Sequence, residues 1–372
     1  MSYLIPFSKP DIRDSDISRV KKSIKSGWLT HGKNSLEFEK EFKKFTKAKY
    51  ATTIANCTAG LHLACLSIGL TKGDEVIVPA QTHTATAHAV EFTGAKAVFA
   101  DTDSLNGNIL FSEIKKKINK KTKAIIIVHM AGLPCELKKI SKLCNYKKIH
   151  LIEDCAHALG STYGNKHVGN FGKCGVFSFY PTKQITSGEG GVLITNNRNF
   201  YNKVKMLKAF GIDNPPEKRK KQGFYDVKYL GFNYRMTDFQ AALALGQLQR
   251  YKKLLKVRRN IAKNYEKNLT SNKLRFVKFN KSHSYFVFQV VFESKKIRDR
   301  ILAEFKKNGI GASIHYATPV PLLSYYKKKY KFNNKHFKNS KIYSDRVISL
   351  PVHSGIDNKK INYIKKIIYM NI

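Results

Sequence analysis

Leu151-Ile152-Glu153-Asp154-Cys155-Ala156-His157-Ala158-Leu159-Gly160 is an apolar run that ends on two carboxylates and then turns through small residues. A run closed in this way reads as a buried strand whose last carboxylate projects from the carboxyl end of a sheet, where open α/β folds place ligands. Outward from it, β-rich runs recur at 51–55, 75–78, 97–100, 124–128, 149–153, 176–179 and 192–195. Helical patterns lie between them at 59–68, 84–92, 112–118 and 137–144. Such alternation predicts a mostly parallel sheet with helices on both faces. Beyond position 238 the texture changes. A long amphipathic helix starts at Asp238, read as its N-cap, and runs to about 268. A strand follows at 285–292, then a helix at 296–307 closed by Asn308-Gly309, and a last helix at 358–368. The expectation is an α/β fold: a large, mostly parallel-sheet domain over 1–250, N-terminal segment included, and a smaller C-terminal α+β domain over 251–372.

A chain of 372 residues has room for a full core and does not need a disulfide framework. Its six cysteines (57, 65, 135, 144, 155 and 174) form no CxxC pair, so reduced, buried thiols are expected and no metal site. The N-terminal residues lack the basic-then-apolar pattern of a secretory signal, and no apolar run is long enough to span a bilayer. A soluble cytoplasmic protein is the expectation, with no membrane partner. Lys plus Arg number 68 against 26 Asp plus Glu, a net charge of +42. The lysines are spread along solvated helix and loop positions, which points to composition, and the field they make would also favour an anionic nucleotide substrate. No helix-turn-helix or RNA-binding signature accompanies them, so nucleic acid is not the expected partner.

Four local features carry chemistry. Asn56-Cys57-Thr58-Ala59-Gly60-Leu61 is a strand-to-helix turn whose free amides suit a phosphate, with the Thr58 hydroxyl as a further donor. A Thr capping an ordinary helix explains the same residues. Asp154 needs a partner if buried, and a pyridinium nitrogen would be one; capping of the next turn is the competing account. Gly175-Val176-Phe177-Ser178-Phe179-Tyr180-Pro181-Thr182-Lys183 is a strand stopped by proline with a lysine directly after it. Beside a phosphate site and a carboxylate, such a lysine can lose its proton and act as a nucleophile. Finally, Ser187-Gly188-Glu189-Gly190-Gly191 lacks the surroundings of a dinucleotide fingerprint and reads as a turn between strands.

In this order and spacing, with Asp154 standing 29 positions before Lys183, the chain resembles the DegT/DnrJ/EryC1/StrS family of nucleotide-sugar aminotransferases. These are pyridoxal 5'-phosphate (PLP) enzymes of fold type I, the aspartate-aminotransferase-like fold. The resemblance also takes in Ser26-Gly27-Trp28-Leu29-Thr30-His31-Gly32, Leu230-Gly231-Phe232-Asn233-Tyr234-Arg235-Met236-Thr237-Asp238 and Val347-Ile348-Ser349-Leu350-Pro351. It implies that Lys183 binds PLP as a Schiff base and moves protons, and that Asp154 pairs with the ring nitrogen and keeps it protonated. It places His157 near the cofactor's 3-hydroxyl and gives the phosphate to the backbone of Thr58 and Ala59 and the Ser178 hydroxyl. Asn233 would reach the phosphate of a neighbouring subunit, which implies a homodimer with shared sites. His83 stands where the family usually stacks Phe or Trp on the cofactor; an imidazole can stack too, and a structural role is the alternative. Thr30, His315 and Tyr316 are candidate sugar contacts, with ordinary packing as the alternative.

The same resemblance implies transfer of an amine from L-glutamate to a keto sugar on a nucleotide diphosphate, for a surface glycan. Relatives that deoxygenate sugars carry His in place of this lysine. The segment Lys183-Gln184-Ile185-Thr186-Ser187-Gly188-Glu189-Gly190-Gly191 resembles relatives acting on 4-keto-6-deoxy sugars more than those acting on 3-keto sugars. The rival readings are a 3-keto sugar aminotransferase and a non-catalytic regulatory or nucleic-acid-binding protein on the same fold.

Overall fold

A computed structural model describes residues 4–213, 221, 223–333 and 335–372. In chain order the large sheet is built from β1 (Tyr50–Ile54), β2 (Glu75–Pro79), β3 (Lys96–Ala100), β4 (Thr122–Val128) and β5 (His150–Asp154). A two-strand hairpin, β6 (Thr162–Tyr163) and β7 (Lys166–His167), interrupts it before β8 (Cys174–Ser178) and β9 (Gly191–Thr195). The strand order is β1-β9-β8-β5-β4-β2-β3, with β9 antiparallel to both neighbours and the pairs from β8 to β3 parallel. These seven strands match the seven expected runs to within two residues. Their composition explains the match: β4 is Thr-Lys-Ala-Ile-Ile-Ile-Val, and Ile125, Ile126 and Ile127 are all fully buried. A strand covered on both faces reads as a continuous β-branched run, and each buried Ile contributes about 1.5–3 kcal/mol.

Helices α1 (Asp14–Lys25), α2 (Lys33–Thr46), α3 (Cys57–Ser67), α4 (Thr84–Glu91), α5 (Phe111–Lys117), α6 (Leu137–Lys147) and α7 (Arg198–Leu207) accompany the sheet. The cluster on one face draws on α2, α5, α6 and the first half of α8 (Asp238–Asn268); the other draws on α3, α4 and α7. The end of α8 enters a separate core through Ile261, Ala262 and Tyr265. That core holds a three-stranded antiparallel sheet, β10 (Leu274–Arg275), β11 (Phe288–Phe292) and β12 (Val347–Leu350), with α9 (Lys295–Lys307) and α12 (Asn358–Tyr369). Two helices lie between α9 and α12 in the chain, α10 (Ser324–Tyr330) and α11 (Lys338–Arg346).

Two expectations change. The N-cap of α8 is Thr237, not Asp238: the Gln240 side chain accepts the Thr237 amide at 3.0 Å and its hydroxyl at 2.7 Å. Asp238 is instead turned back on α2. It accepts from the Ser35 amide (2.9 Å) and hydroxyl (3.0 Å), Asn34 Nδ2 (2.6 Å) and Ser23 Oγ (3.2 Å). Gly32, the N-cap of α2, admits this approach, since a Cβ there would lie 2.4 Å from the Asp238 carboxyl carbon. The strand expected at 285–292 begins only at Phe288. Tyr285 has φ 49°, and the Phe286 amide donates to Ala131 O at 2.9 Å, so this apolar stretch packs on the turn after β4 before joining the small sheet.

Parallel pairing sets the site's position. Val128 lies opposite Asp154, and Asp154 opposite Val176, so β4, β5 and β8 end at one edge. Ile54 pairs with Gly191, which brings the end of β1 and the start of β9 to that edge as well. Gly191 is required there, because a Cβ would sit 2.7 Å from Phe177 O and 3.1 Å from Cys57 N.

Candidate active site

Asp154, the last residue of β5, is buried. Its Oδ2 accepts from Thr86 Oγ1 at 2.9 Å; its Oδ1 accepts from the Ala156 amide at 3.1 Å, with the Cys57 thiol at 3.8 Å. Burial pushes its pKa up, while the Ala156 amide, the Thr86 hydroxyl, Lys183 and His83 pull it down. The carboxylate has no salt bridge with a cationic side chain among the described residues.

Lys183 lies in the loop from β8 to β9, which Gly188 (φ 78°) turns back toward the sheet, the turn expected from the glycines. As a residue it keeps partial exposure, yet its amine is withdrawn from bulk water. Desolvation lowers its pKa to about 8, against the opposing pull of Cys57 and Asp154. Its Nζ stands 4.6 Å from the ring centroid of Phe286, a residue whose role had no local signature. No carboxylate pairs with it among the described residues. A desolvated, unpaired amine near neutrality is a nucleophile in waiting.

The turn after β1 is shaped for an anion. Asn56 caps α3 and accepts the Ala59 amide at 2.8 Å, so Ala59 already has a partner for its N–H. That leaves the first-turn amides of Cys57 and Thr58 and the Thr58 hydroxyl as the donors. Asparagine directly before a helix is a readable cap, and Asn56 could have been recognised from sequence alone. Ser178 ends β8, with its Oγ 3.4 Å from the Tyr180 amide.

His157 is buried, stacked on Phe286 at 4.5 Å, and fixed at both nitrogens. The Ala131 amide donates to Nδ1 at 3.3 Å, so the ring proton sits on Nε2, 3.2 Å from the Tyr316 hydroxyl. Burial, then Lys183, lowers its pKa well below the usual value, so the ring stays neutral. His315 joins the group edge-on to His157 at 5.7 Å and shares its Nδ1 with Ser349 Oγ at 3.0 Å; burial lowers its pKa to about 3. The Tyr316 carbonyl accepts from Gln81 Nε2 at 2.8 Å. His83 is exposed, caps α4 and meets the Tyr316 ring edge-on at 5.6 Å.

Lys183, Asp154, His157, His83 and the His315–Tyr316 pair therefore lie together. Among the described residues no hydrogen bond joins Thr30 or Asn233 to this group. Thr30 is exposed and bridges Thr237, and Asn233 is exposed with its Oδ1 accepting from Arg235 Nε at 2.8 Å. Three residues the sequence did not single out belong to the group: Thr86 and Cys57 on Asp154, and Phe286 beneath Lys183.

His129, Glu153 and Cys155 also converge, their ligating atoms within 4.8 Å of one another and all buried. Glu153 and His129 are held in a hydrogen-bonded knot. Glu153 accepts from the Gly169, Phe171 and Gly172 amides at 2.7, 2.7 and 2.8 Å, and His129 Nε2 lies 3.2 Å away. Because His129 Nδ1 accepts the Cys135 amide at 3.1 Å, its Nε2 carries the proton given to Glu153 and has no lone pair for a metal.

The main cluster combines an anion cradle at a helix start, a buried carboxylate without a cation, and an unpaired amine of lowered pKa. PLP presents a phosphate, a protonatable ring nitrogen and an aldehyde, and each finds its complement here. Comparison with known proteins agrees. The GDP-perosamine synthase of Escherichia coli O157:H7 is 35% identical over 374 residues, covering 98% of this chain and 97% of that protein. The spore coat polysaccharide biosynthesis protein SpsC of Bacillus subtilis is 32% identical, covering 97% and 95%. A putative sugar aminotransferase of Streptococcus pneumoniae, solved in its PMP form, superposes with a TM-score of 0.93 at 28% identity over 98% of both chains; it has also been solved in its PLP form. Residues 10–369 match the DegT/DnrJ/EryC1/StrS aminotransferase family, and the chain belongs to that family of PLP-dependent sugar aminotransferases.

Proposed function

We propose that this aminotransferase moves an amino group from L-glutamate to a 4-keto-6-deoxyhexose carried on a nucleoside diphosphate, supplying an amino sugar for a surface glycan. The observation that carries the reading is the unpaired, desolvated Lys183 amine beside the buried Asp154. Bound PLP supplies an electron sink for the carbon that loses its proton. The rest falls to the chain's own residues. Thr58, through its amide and hydroxyl, and Ser178 hold the phosphate. Asp154 keeps the ring nitrogen protonated, because a buried carboxylate favours a cation opposite it. Lys183 Nζ would take the proton from the donor's carbon and hand it to the cofactor's C4′ carbon, and in the second half would carry a proton from that carbon to the sugar carbon that receives the amine, a positioned acid–base role that contributes roughly 10²–10⁴-fold. The neutral His157 offers hydrogen bonds and no charge, so the charge balance of the cleft rests on Asp154 and Lys183.

Support for the 4-keto position comes from the segment Lys183 to Gly191, and support for a glycan role from the polysaccharide-related names of the relatives. The reading includes a homodimer, with Asn233 completing the neighbour's site; its exposure fits that arrangement. Turnover with glutamate against a panel of 4-keto and 3-keto nucleotide sugars, with the new amine placed by NMR, tests the proposal. Amination at C4 is expected. Exclusive amination at C3 would replace it, and borohydride fixation of PLP on a residue other than Lys183 would remove its basis.

A further inference from the structure

Helix α4 starts at the cleft, and its cap is one of the cleft's own residues. His83 accepts the Ala85 amide on Nδ1 at 3.2 Å, which puts the proton of the neutral ring on Nε2. In the same first turn, Thr86 donates to Asp154 Oδ2 at 2.9 Å and lies 2.7 Å from the Thr82 hydroxyl. Thr86 is the only hydroxyl donor on Asp154 among the described residues; the others are the Ala156 amide and the weak Cys57 thiol. This turn is thus anchored at one end by a titratable ring and at the other by the carboxylate.

We propose that His83 is a positioning residue for Asp154: by capping α4 through an unprotonated Nδ1 it holds Thr86 on the carboxylate, and acid weakens the hold on the cofactor by breaking that cap. The inference rests on the reading of Asp154 as the partner of the cofactor nitrogen. Adding a proton to Nδ1 turns an acceptor into a donor facing the Ala85 N–H, so the cap is lost and two like groups oppose each other. The charges around the ring oppose one another. Although His83 keeps solvent contact, its ring is partly desolvated in the cleft, and this is the largest influence lowering its pKa; Lys183 from the β8–β9 loop and His88 from α4 act in the same direction, and Asp154 from β5 acts against them. Tyr316, whose ring meets His83 edge-on, stays protonated because burial raises its pKa. These influences together favour the neutral ring, so the proton that breaks the cap is added only in acid.

Two substitutions separate the cap from the ring. His83→Asn keeps a capping oxygen that does not titrate, and His83→Phe keeps an aromatic face without a cap. Equilibrium dialysis of PLP against each purified chain, at about pH 8 and about pH 5.5, reads the difference. The wild-type Kd should rise at least about fivefold more than that of His83→Asn over this interval, fivefold being roughly what one helix cap is worth. At the higher pH, His83→Phe should bind about fivefold more weakly than His83→Asn. Equal pH responses in wild type and His83→Asn, or a His83→Phe chain that binds as tightly as His83→Asn, would overturn the proposal. Borohydride fixation on Lys183 of the wild type, run alongside, shows which reading has failed: with Lys183 labelled the positioning role alone falls, and without it the cofactor reading falls too.

Discussion

Lys183 and Asp154 titrate against each other, and this makes their partnership measurable before any turnover. Burial lowers the Lys183 pKa to about 8, and Asp154 raises it from what burial alone would give. A Schiff base forms from the free amine, so capture of PLP by the apo-chain should accelerate as pH rises through about 8 and level off above it. Replacing Asp154 by Asn removes the charge that favours the ammonium. The midpoint should then move to lower pH, while turnover falls by about 10²-fold or more because the ring nitrogen loses its carboxylate. Stopped-flow absorbance across a pH series measures the first effect and steady-state assays the second. A midpoint that moves upward, or an Asp154→Asn chain with near-normal turnover, would contradict the assigned pairing. Much of this pair was legible from sequence, since Asp154 ends a strand, Lys183 follows one stopped by proline, and each is flagged by its neighbours in the chain. Thr86 and Phe286 were not. Thr86 reaches Asp154 across 68 positions, and Phe286 underlies Lys183 only because its segment leaves the small sheet to pack on Ala131.

The elements themselves were legible where burial is two-sided. β4 and β5 announce themselves as unbroken apolar runs, and the structure moves their ends by no more than two residues. The same signal overreached at 285–292, because periodicity does not separate a buried strand from a buried loop. Capping was the second limit. Asp238 has the composition of an N-cap at its own helix, but its partners Ser23, Asn34 and Ser35 lie more than 200 positions away, and no local pattern points to them. Asp238 thereby fastens α2 to the start of α8, next to the segment that carries Asn233. Asp238→Ala should leave those donors buried and unsatisfied, at a cost of about 2–4 kcal/mol in denaturant-induced unfolding. Asp238→Asn, which keeps one acceptor oxygen, should lose less. A loss under about 0.5 kcal/mol for the alanine variant would show that the link between the two helices is dispensable.

At the scale of the whole molecule, Asn233 is the cofactor contact proposed to come from a second copy, and it sits on the surface. Arg235 bonds Asn233, lies over the Phe210 ring at 5.0 Å and reaches His31 at 3.4 Å. Trp28, Leu29, Phe210, Tyr229 and Leu230 are all exposed, Leu230 by 90%. Exposed aromatic and aliphatic side chains around a polar contact residue are what a subunit interface offers. Two copies of a chain bearing +42 repel each other, so if they associate through this surface the association should strengthen as salt screens the charge. Chains carrying Lys183→Ala and chains carrying Asn233→Ala should each have little activity. When mixed and allowed to exchange, they form some dimers in which one site keeps both its own Lys183 and the partner's Asn233. In a random mixture half of the dimers are mixed, so recovery to roughly a quarter of wild-type activity is the expected ceiling. It should be approached more readily at moderate than at low ionic strength if exchange ends in a tighter dimer. Mixed dimers verified by mass that recover nothing would place Asn233 in its own chain's architecture and leave the shared site without support.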